Sequence, residues 1–172
     1  LITSSIGVFY VKVSDGNCIQ IDSVEILSEI NIDVFANDVC IGDSTLVGIT
    51  DLNSINPLVS YNWNVYNLDT LEFIDYPETQ TWYVVEVINS AGCIIKDSVF
   101  VNVYEYPTID SIWGSETIIF KGEEITLNVV TNNNISWEDF SNSNVSQNVF
   151  PEETKCYKFE VSNTLCLIKD SI

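Results

Sequence analysis

The 172-residue chain has no histidine, no arginine and no methionine, and only 7 glycines and 4 prolines. Without histidine there is no imidazole base and no Ser-His or Cys-His arrangement. With no Cys-x-x-Cys pair either, zinc has little to hold it. Six lysines against 25 acidic residues leave a net charge of −19. Nucleic acid and anionic membrane surfaces therefore find almost no electrostatic footing. No apolar run approaches the roughly 18–20 residues that cross a bilayer, so direct membrane insertion is not expected. A Gly-rich phosphate loop is missing too. So are a start methionine and a leader segment, which predicts a mature or internal piece.

What the chain does contain is a β-forming composition, rich in valine, isoleucine and aromatics. Its charge is spread, at −3 for residues 1–32, −10 for 33–106 and −6 for 107–172. Spread charge of one sign serves solubility, with cation binding as the sharper alternative. Paired acids such as Glu123-Glu124 and Glu152-Glu153 read as solvated surface rather than as a glycosidase pair. Five cysteines in such a chain point to an oxidising compartment more than to a metal site.

One segment recurs three times. It is FYVKVSDGNCIQIDSV at Phe9–Val24, YVVEVINSAGCIIKDSV at Tyr83–Val99 and YKFEVSNTLCLIKDSI at Tyr157–Ile172. Phe9, Tyr83 and Tyr157 stand 74 residues apart, and so do Trp63 and Trp137, and Pro77 and Pro151. A period of this length predicts similar domains strung end to end. Within each copy apolar residues alternate with mostly polar ones, as in Tyr83, Val85 and Val87, which is the period of a half-buried antiparallel strand. A short turn and a returning strand follow each time. A tryptophan on a short apolar strand fits the inter-sheet position of an immunoglobulin-like sandwich. The expected fold is therefore all-β, as tandem immunoglobulin-like antiparallel β-sandwiches. Residues 33–106 form one complete repeat, and 107–172 a second whose final strand is cut short. Residues 1–32 form the C-terminal hairpin of a truncated repeat. A lone hairpin is marginal, so the chain reads as an excerpt of something longer or as a subunit completed by neighbours.

Cys18, Cys93 and Cys166 follow the hairpin turn of each copy, and Cys40 precedes Gly42, where the third copy has Phe120 before Gly122. The simplest pairing is one bridge per complete copy, Cys40–Cys93, with the partner of Cys18 upstream. A regular sandwich argues against it, because those two places lie at opposite ends and a bridge needs Cα atoms within about 7 Å. A turn centred on Asn163-Thr164 sets Cys166 opposite Val161 and Cys156 too far down the strand to reach it. That leaves Cys156 and Cys166 as free thiols.

Several of these features together resemble the repeat modules of large cell-surface adhesins from Bacteroidota, including the gliding-motility adhesins. These are related to PKD-like and immunoglobulin-like domains. The carriers are Cys40-Ile41-Gly42-Asp43-Ser44 ahead of a strand, Tyr61-Asn62-Trp63, the strand opening at Tyr83, and the closing Gly92-Cys93 with Asp97-Ser98-Val99. The resemblance implies export to the bacterial cell surface and an extracellular setting. It also implies O-glycosylation at Asp-Ser/Thr followed by an apolar residue, with Ser23, Thr70, Ser98, Ser111 and Ser171 as candidates. The first, third and last of these also open the final strand of each copy, which is a structural reason for the same pattern. Asn134 and Asn144 head N-x-Ser sequons.

The function expected is non-catalytic: a repeat spacer or stalk of a secreted surface adhesin or filament, in adhesion or gliding motility. The alternatives are a pilus-like subunit polymerising by strand complementation and a module binding surface glycans or proteins. Trp82 and Trp113, outside the repeating core positions, are the candidate ligand contacts. No cofactor is expected. Calcium is the one candidate, with Asp33, Asp38, Glu105 and Asp110 as oxygen donors. Neighbouring repeats of the same chain are the principal partners.

Overall fold

The computed structural model describes residues 7–26, 30–52 and 56–172. Of the hairpin segment 1–32, positions 1–6 and 27–29 lie outside the described residues. The strands begin with β1 (Gly7–Ser14), β2 (Ile19–Ile26), β3 (Ile32–Phe35), β4 (Val39–Cys40), β5 (Thr45–Asp51), β6 (Leu58–Trp63), β7 (Glu72–Asp75) and β8 (Thr81–Asn89). They continue with β9 (Ile94–Val101), β10 (Val103–Tyr104), β11 (Ser111–Gly114), β12 (Ile125–Val130), β13 (Asn134–Trp137), β14 (Ser146–Val149), β15 (Lys158–Ser162) and β16 (Leu167–Ser171). No helix occurs among the described residues. Two compact units result. One comprises Leu1–Asn37, Leu46–Asp75 and Trp82–Phe100, and the other Asp38–Thr45, Tyr76–Thr81 and Val101–Ile172.

In the first unit β3, β5 and β7 make one sheet and β6, β8 and β9 another. The alternation of β8 works as the pattern requires. Tyr83, Val85 and Val87 are fully buried, while Trp82 on the opposite phase is exposed. Trp63 at the end of β6 is also fully buried, and its indole N–H donates to the Thr70 carbonyl at 2.9 Å. Phe73 of the facing sheet meets Trp63 edge-on at 5.2 Å and Tyr83 at 6.1 Å. These rings join the two sheets into one core, and each large side chain so buried contributes about 2–3 kcal/mol. Gly48 in β5 sits where a Cβ would lie 2.5 Å from the Phe35 ring, so glycine is needed for that close approach.

The second unit repeats the plan, with β11, β12 and β14 in one sheet and β13, β15 and β16 in the other. Leu127, Val129 and Val149 face Ile135, Trp137, Phe159 and Val161 in a single core. The Trp137 N–H donates to the Asn144 carbonyl at 2.9 Å. Both members lie 74 residues beyond Trp63 and Thr70. Each unit thus holds an immunoglobulin-like antiparallel β-sandwich.

β1 and β2 pair antiparallel from Gly7↔Ile26 to Ser14↔Ile19. Val11 and Val13, on the phase buried in the other two copies, are 60% and 64% exposed. Among the described residues β1 has no neighbour on the side where β8 meets β6 and β15 meets β13.

The third hairpin corrects one expectation. Ser162 pairs with Leu167, and the Asn163 N–H donates to the Cys166 carbonyl at 3.0 Å. Cys166 therefore lies across from Asn163 in the turn rather than opposite Val161. The turn is centred one residue later than expected because the Asn163 carboxamide oxygen accepts the N–H groups of Leu165 and Cys166, at 3.1 and 2.9 Å.

Candidate functional site

The segment around Cys40 is built as a platform inside the second unit. β4 runs parallel to β10, with Cys40 beside Tyr104. The Val39 N–H donates to the Asn102 carbonyl at 3.1 Å, and the Ile41 N–H to the Tyr104 carbonyl at 2.9 Å. Asp38 fixes one end, accepting the Asn102 backbone N–H at 2.8 Å and its side-chain N–H at 3.1 Å. At the other end a tight turn closes, with the Asp43 N–H on the Cys40 carbonyl at 2.9 Å. Gly42 takes the left-handed φ of +89° that this turn requires. The Tyr106 hydroxyl then donates to Asp43 at 3.0 Å. The hydrogen bond favours the neutral phenol and raises its pKa.

The hairpin at Asn163 docks on this platform. Its Nδ2 donates to the Glu105 carbonyl at 2.7 Å, and Cys166 forms a disulfide with Cys40, their Cα atoms 5.8 Å apart. Both cysteines are buried. The expected Cys40–Cys93 bridge is not formed, and Cys93 is free, as are Cys18 and Cys156. The reason is strand geometry. Cys93 precedes β9, whose eight residues span about 27 Å before the chain reaches the segment that pairs with Cys40. Nor is Cys166 a free thiol. A cysteine that belongs by sequence to the middle repeat holds the hairpin of the next.

The three hairpins are built alike. Asp15, Asn89 and Asn163 stand at the same place, 74 residues apart. The Asp15 carboxylate accepts the N–H groups of Asn17 and Cys18 at 2.9 and 2.7 Å, which lowers its pKa. The Asn89 carboxamide oxygen accepts those of Ala91 and Cys93 at 3.1 and 2.9 Å. Each cysteine is thus held by a side-chain oxygen at the same place, three residues back in the first and third turns and four in the middle one, which is longer by a residue.

A second polar cluster lies in the first unit. The hydroxyls of Tyr83 and Tyr66 donate to the two carboxylate oxygens of Asp75, at 2.6 and 3.0 Å. Burial and this bond push the Tyr83 phenol pKa well up, and the bond to Asp75 raises that of Tyr66. Tyr66 takes a left-handed backbone with φ of +58°, unusual for an aromatic residue. The residues 74 positions on are Phe140, Val149 and Tyr157. There Phe140 stacks on Tyr157 at 5.9 Å, so one sandwich fills the place with a hydrogen-bonded triad and the other with apolar contact.

The remaining sequence candidates are dispersed. Trp82 is 57% exposed and packs on Phe100 at 4.9 Å, and Trp113 is 48% exposed. Ser23, Ser98, Ser111 and Ser171 are exposed and Thr70 is half-buried. At Ser23, Ser98 and Ser171 the preceding aspartate accepts the serine N–H at 2.8, 2.8 and 2.7 Å. Asp38 is engaged by Asn102 as described, and Asp33, Glu105 and Asp110 are exposed. Among the described residues no group of three or more Cys, Asp or Glu gathers to hold a metal ion. An open hollow of about 700 Å³ in the second unit is lined by Phe120, Ile125, Pro151, Tyr157 and Ile172, among others. Ile118 and Phe120 stand 90% and 85% exposed at it.

No known protein family matches the chain. No curated protein sequence matches it either. Among solved structures it is similar to murine CEACAM1b, at 14% identity over 83% of this chain and 98% of that one, with a TM-score of 0.41. It is also similar to the N-terminal eight Ig domains of Down Syndrome Cell Adhesion Molecule, at 14% identity over 97% and 30% of the chains, with a TM-score of 0.49. For the insect immune protein hemolin the values are 14%, 95%, 54% and 0.34. These overlays are loose, and the immunoglobulin-like assignment rests on the sheets and cores themselves.

Proposed function

We propose that the chain is a non-catalytic stretch of a large secreted surface adhesin or filament, and that its repeats act as a spacer. In this reading 33–106 is a complete repeat, 107–172 a second whose final strand is cut short, and 1–32 the closing hairpin of a preceding one. The observation that carries it is the Cys40–Cys166 bridge, which ties successive repeats together. A tie of this kind resists extension of the second unit, which a spacer under load needs and a catalyst does not. An oxidising, extracellular compartment suits it. The net charge of −19 keeps such repeats soluble and apart from one another. The exposed Ile118 and Phe120 flank a turn equivalent to the one at Cys40, and in a repeat array they would receive a further hairpin. The test is the mass of the natural polypeptide, measured with and without reductant. A mass far above 19.3 kDa, unchanged by reductant, is expected.

A second reading has one observation in its favour. β1 exposes the apolar phase that its counterparts bury and leaves an edge unpaired among the described residues. Such an edge accepts an added strand, as in a subunit that polymerises by strand complementation. A natural polypeptide near 19.3 kDa that forms concentration-dependent polymers would favour it over the spacer.

A further inference from the structure

We propose that Cys93 is the hairpin half of a second inter-repeat disulfide, its partner being the cysteine of a Cys-x-Gly-Asp/Glu turn in the preceding repeat. The inference rests on the spacer reading and extends it from one bridge to a staggered series. Its first support is the formed bridge. Cys166, at the place in the third copy that Cys93 holds in the middle one, is joined to the cysteine of such a turn in the repeat before its own. Cys93 is held across from Asn89 as Cys166 is across from Asn163, through the same pair of contacts, although the middle turn is one residue longer and carries Gly92 at a φ of +83°.

The second support is independent of any sulfur. Asn163 Nδ2 donates to the Glu105 carbonyl on the receiving platform. Asn89 is only 1% exposed, and its Nδ2 has no hydrogen-bond partner among the described residues. The counterpart of Glu105, 74 residues earlier, is Asn31, and completion of the platform by an upstream strand would bring that carbonyl onto the unpaired N–H and remove its cost. The receiving half of that platform in the second unit is the β4–β10 pair. For the middle repeat, the strand equivalent to β4 belongs to the repeat before it. Phe120 occupies the cysteine's place in the third turn, where the Glu123 N–H still donates to the Phe120 carbonyl at 3.0 Å. That turn keeps its shape but cannot hold a hairpin through sulfur, so the series has a defined end.

Formation of the bond converts two thiols into one disulfide. Two electrons and two protons pass to a disulfide oxidant, protein or low-molecular-weight, which leaves as two thiols.

The experiment is disulfide mapping of the natural polypeptide, alkylated under denaturing conditions and digested without reduction. Complete loss of alkylation at Cys93 is expected, with its peptide cross-linked to one containing Cys-x-Gly-Asp/Glu. Cys93 alkylated, or joined to Cys18 or Cys156, overturns the proposal. If Cys40–Cys166 is mapped while Cys93 is alkylated, the spacer reading stands and only this inference fails. If Cys40 is alkylated as well, both fail. A second measurement uses the 172-residue chain and a synthetic Val39–Leu46 peptide activated as a mixed disulfide. Faster capture at half-buried Cys93 than at exposed Cys156 supports docking, because exposure alone favours Cys156. Faster capture at Cys156 overturns it.

Discussion

Removal of the Cys40–Cys166 bridge is the perturbation with the largest expected effect. Both cysteines are buried, at 7% and 1% exposure. The suitable change is therefore Cys40→Ala together with Cys166→Ala, which strands neither a thiol nor a hydroxyl. The bridge joins residues 126 apart in sequence. Opening a loop of that length returns freedom to the unfolded chain worth about 5 kcal/mol at 25 °C. The folded side loses little, since the β4–β10 hydrogen bonds and the Asn163–Glu105 bond remain, each worth about 1 kcal/mol. The second unit reports its own unfolding through buried Trp137, so urea denaturation followed by tryptophan fluorescence reads the effect. The midpoint of that transition should fall by about 2.5 M urea, from the 5 kcal/mol and a slope of about 2 kcal/mol per molar. Reduction of the unmodified chain should give the same fall. Changing Cys18 and Cys156 to alanine should leave the midpoint where it was. A double alanine variant as resistant to urea as the oxidised parent would refute the reasoning, because it would mean the bridge closes no loop that the folded state needs closed.

Other expectations follow from the two cores. Asp75→Val should destabilise the first unit by about 1–3 kcal/mol, because it strands two tyrosine hydroxyls. Adding Tyr66→Phe should recover much of the loss by copying the Phe140 and Val149 arrangement, as thermal denaturation would show. The raised phenol pKa values of Tyr83 and Tyr66 mean that folding favours their protonated forms. Their stabilisation is complete below the unfolded value of about 10 and is lost as pH rises through the folded values. The first unit should therefore weaken only above about pH 10, with tyrosinate absorbance at Tyr83 appearing late. Loss of stability between pH 7 and 9 would contradict this. Gly48→Ala should cost about 1–3 kcal/mol by forcing the Phe35 ring aside, and Phe35→Leu in the same chain should relieve part of it in a denaturant titration.

Much of this architecture is legible in the sequence because it lies in the 74-residue offset. Trp63 and Trp137, Tyr83 and Tyr157 announce equivalent core positions, and strict alternation along β8 marks which face is buried. The disulfide was hidden because the middle copy carries both halves of a bridge, Cys40 and Cys93. Only chain direction shows that these halves lie at opposite ends of a sandwich. One signal was present: Phe120 replaces the third copy's early cysteine, so pairing within copies leaves Cys166 without a partner, whereas pairing with the preceding repeat does not. The Tyr66, Asp75 and Tyr83 triad was equally within reach of the offset, since Phe140 and Val149 replace two of its members together. Its hydrogen bonds were not, because a tyrosine hydroxyl finds its carboxylate only once two sheets are stacked.

The position of the Cys40–Cys166 bond has a mechanical consequence. Tension applied at the two ends of the chain passes from residue 40 to residue 166 through sulfur, so the 126-residue separation is bypassed by the load. A fully extended stretch of that length would add about 440 Å. Under pull, the oxidised protein keeps that length in reserve even if the strands between the two cysteines come apart. Reduction turns the same protein into one that can pay out the whole of it.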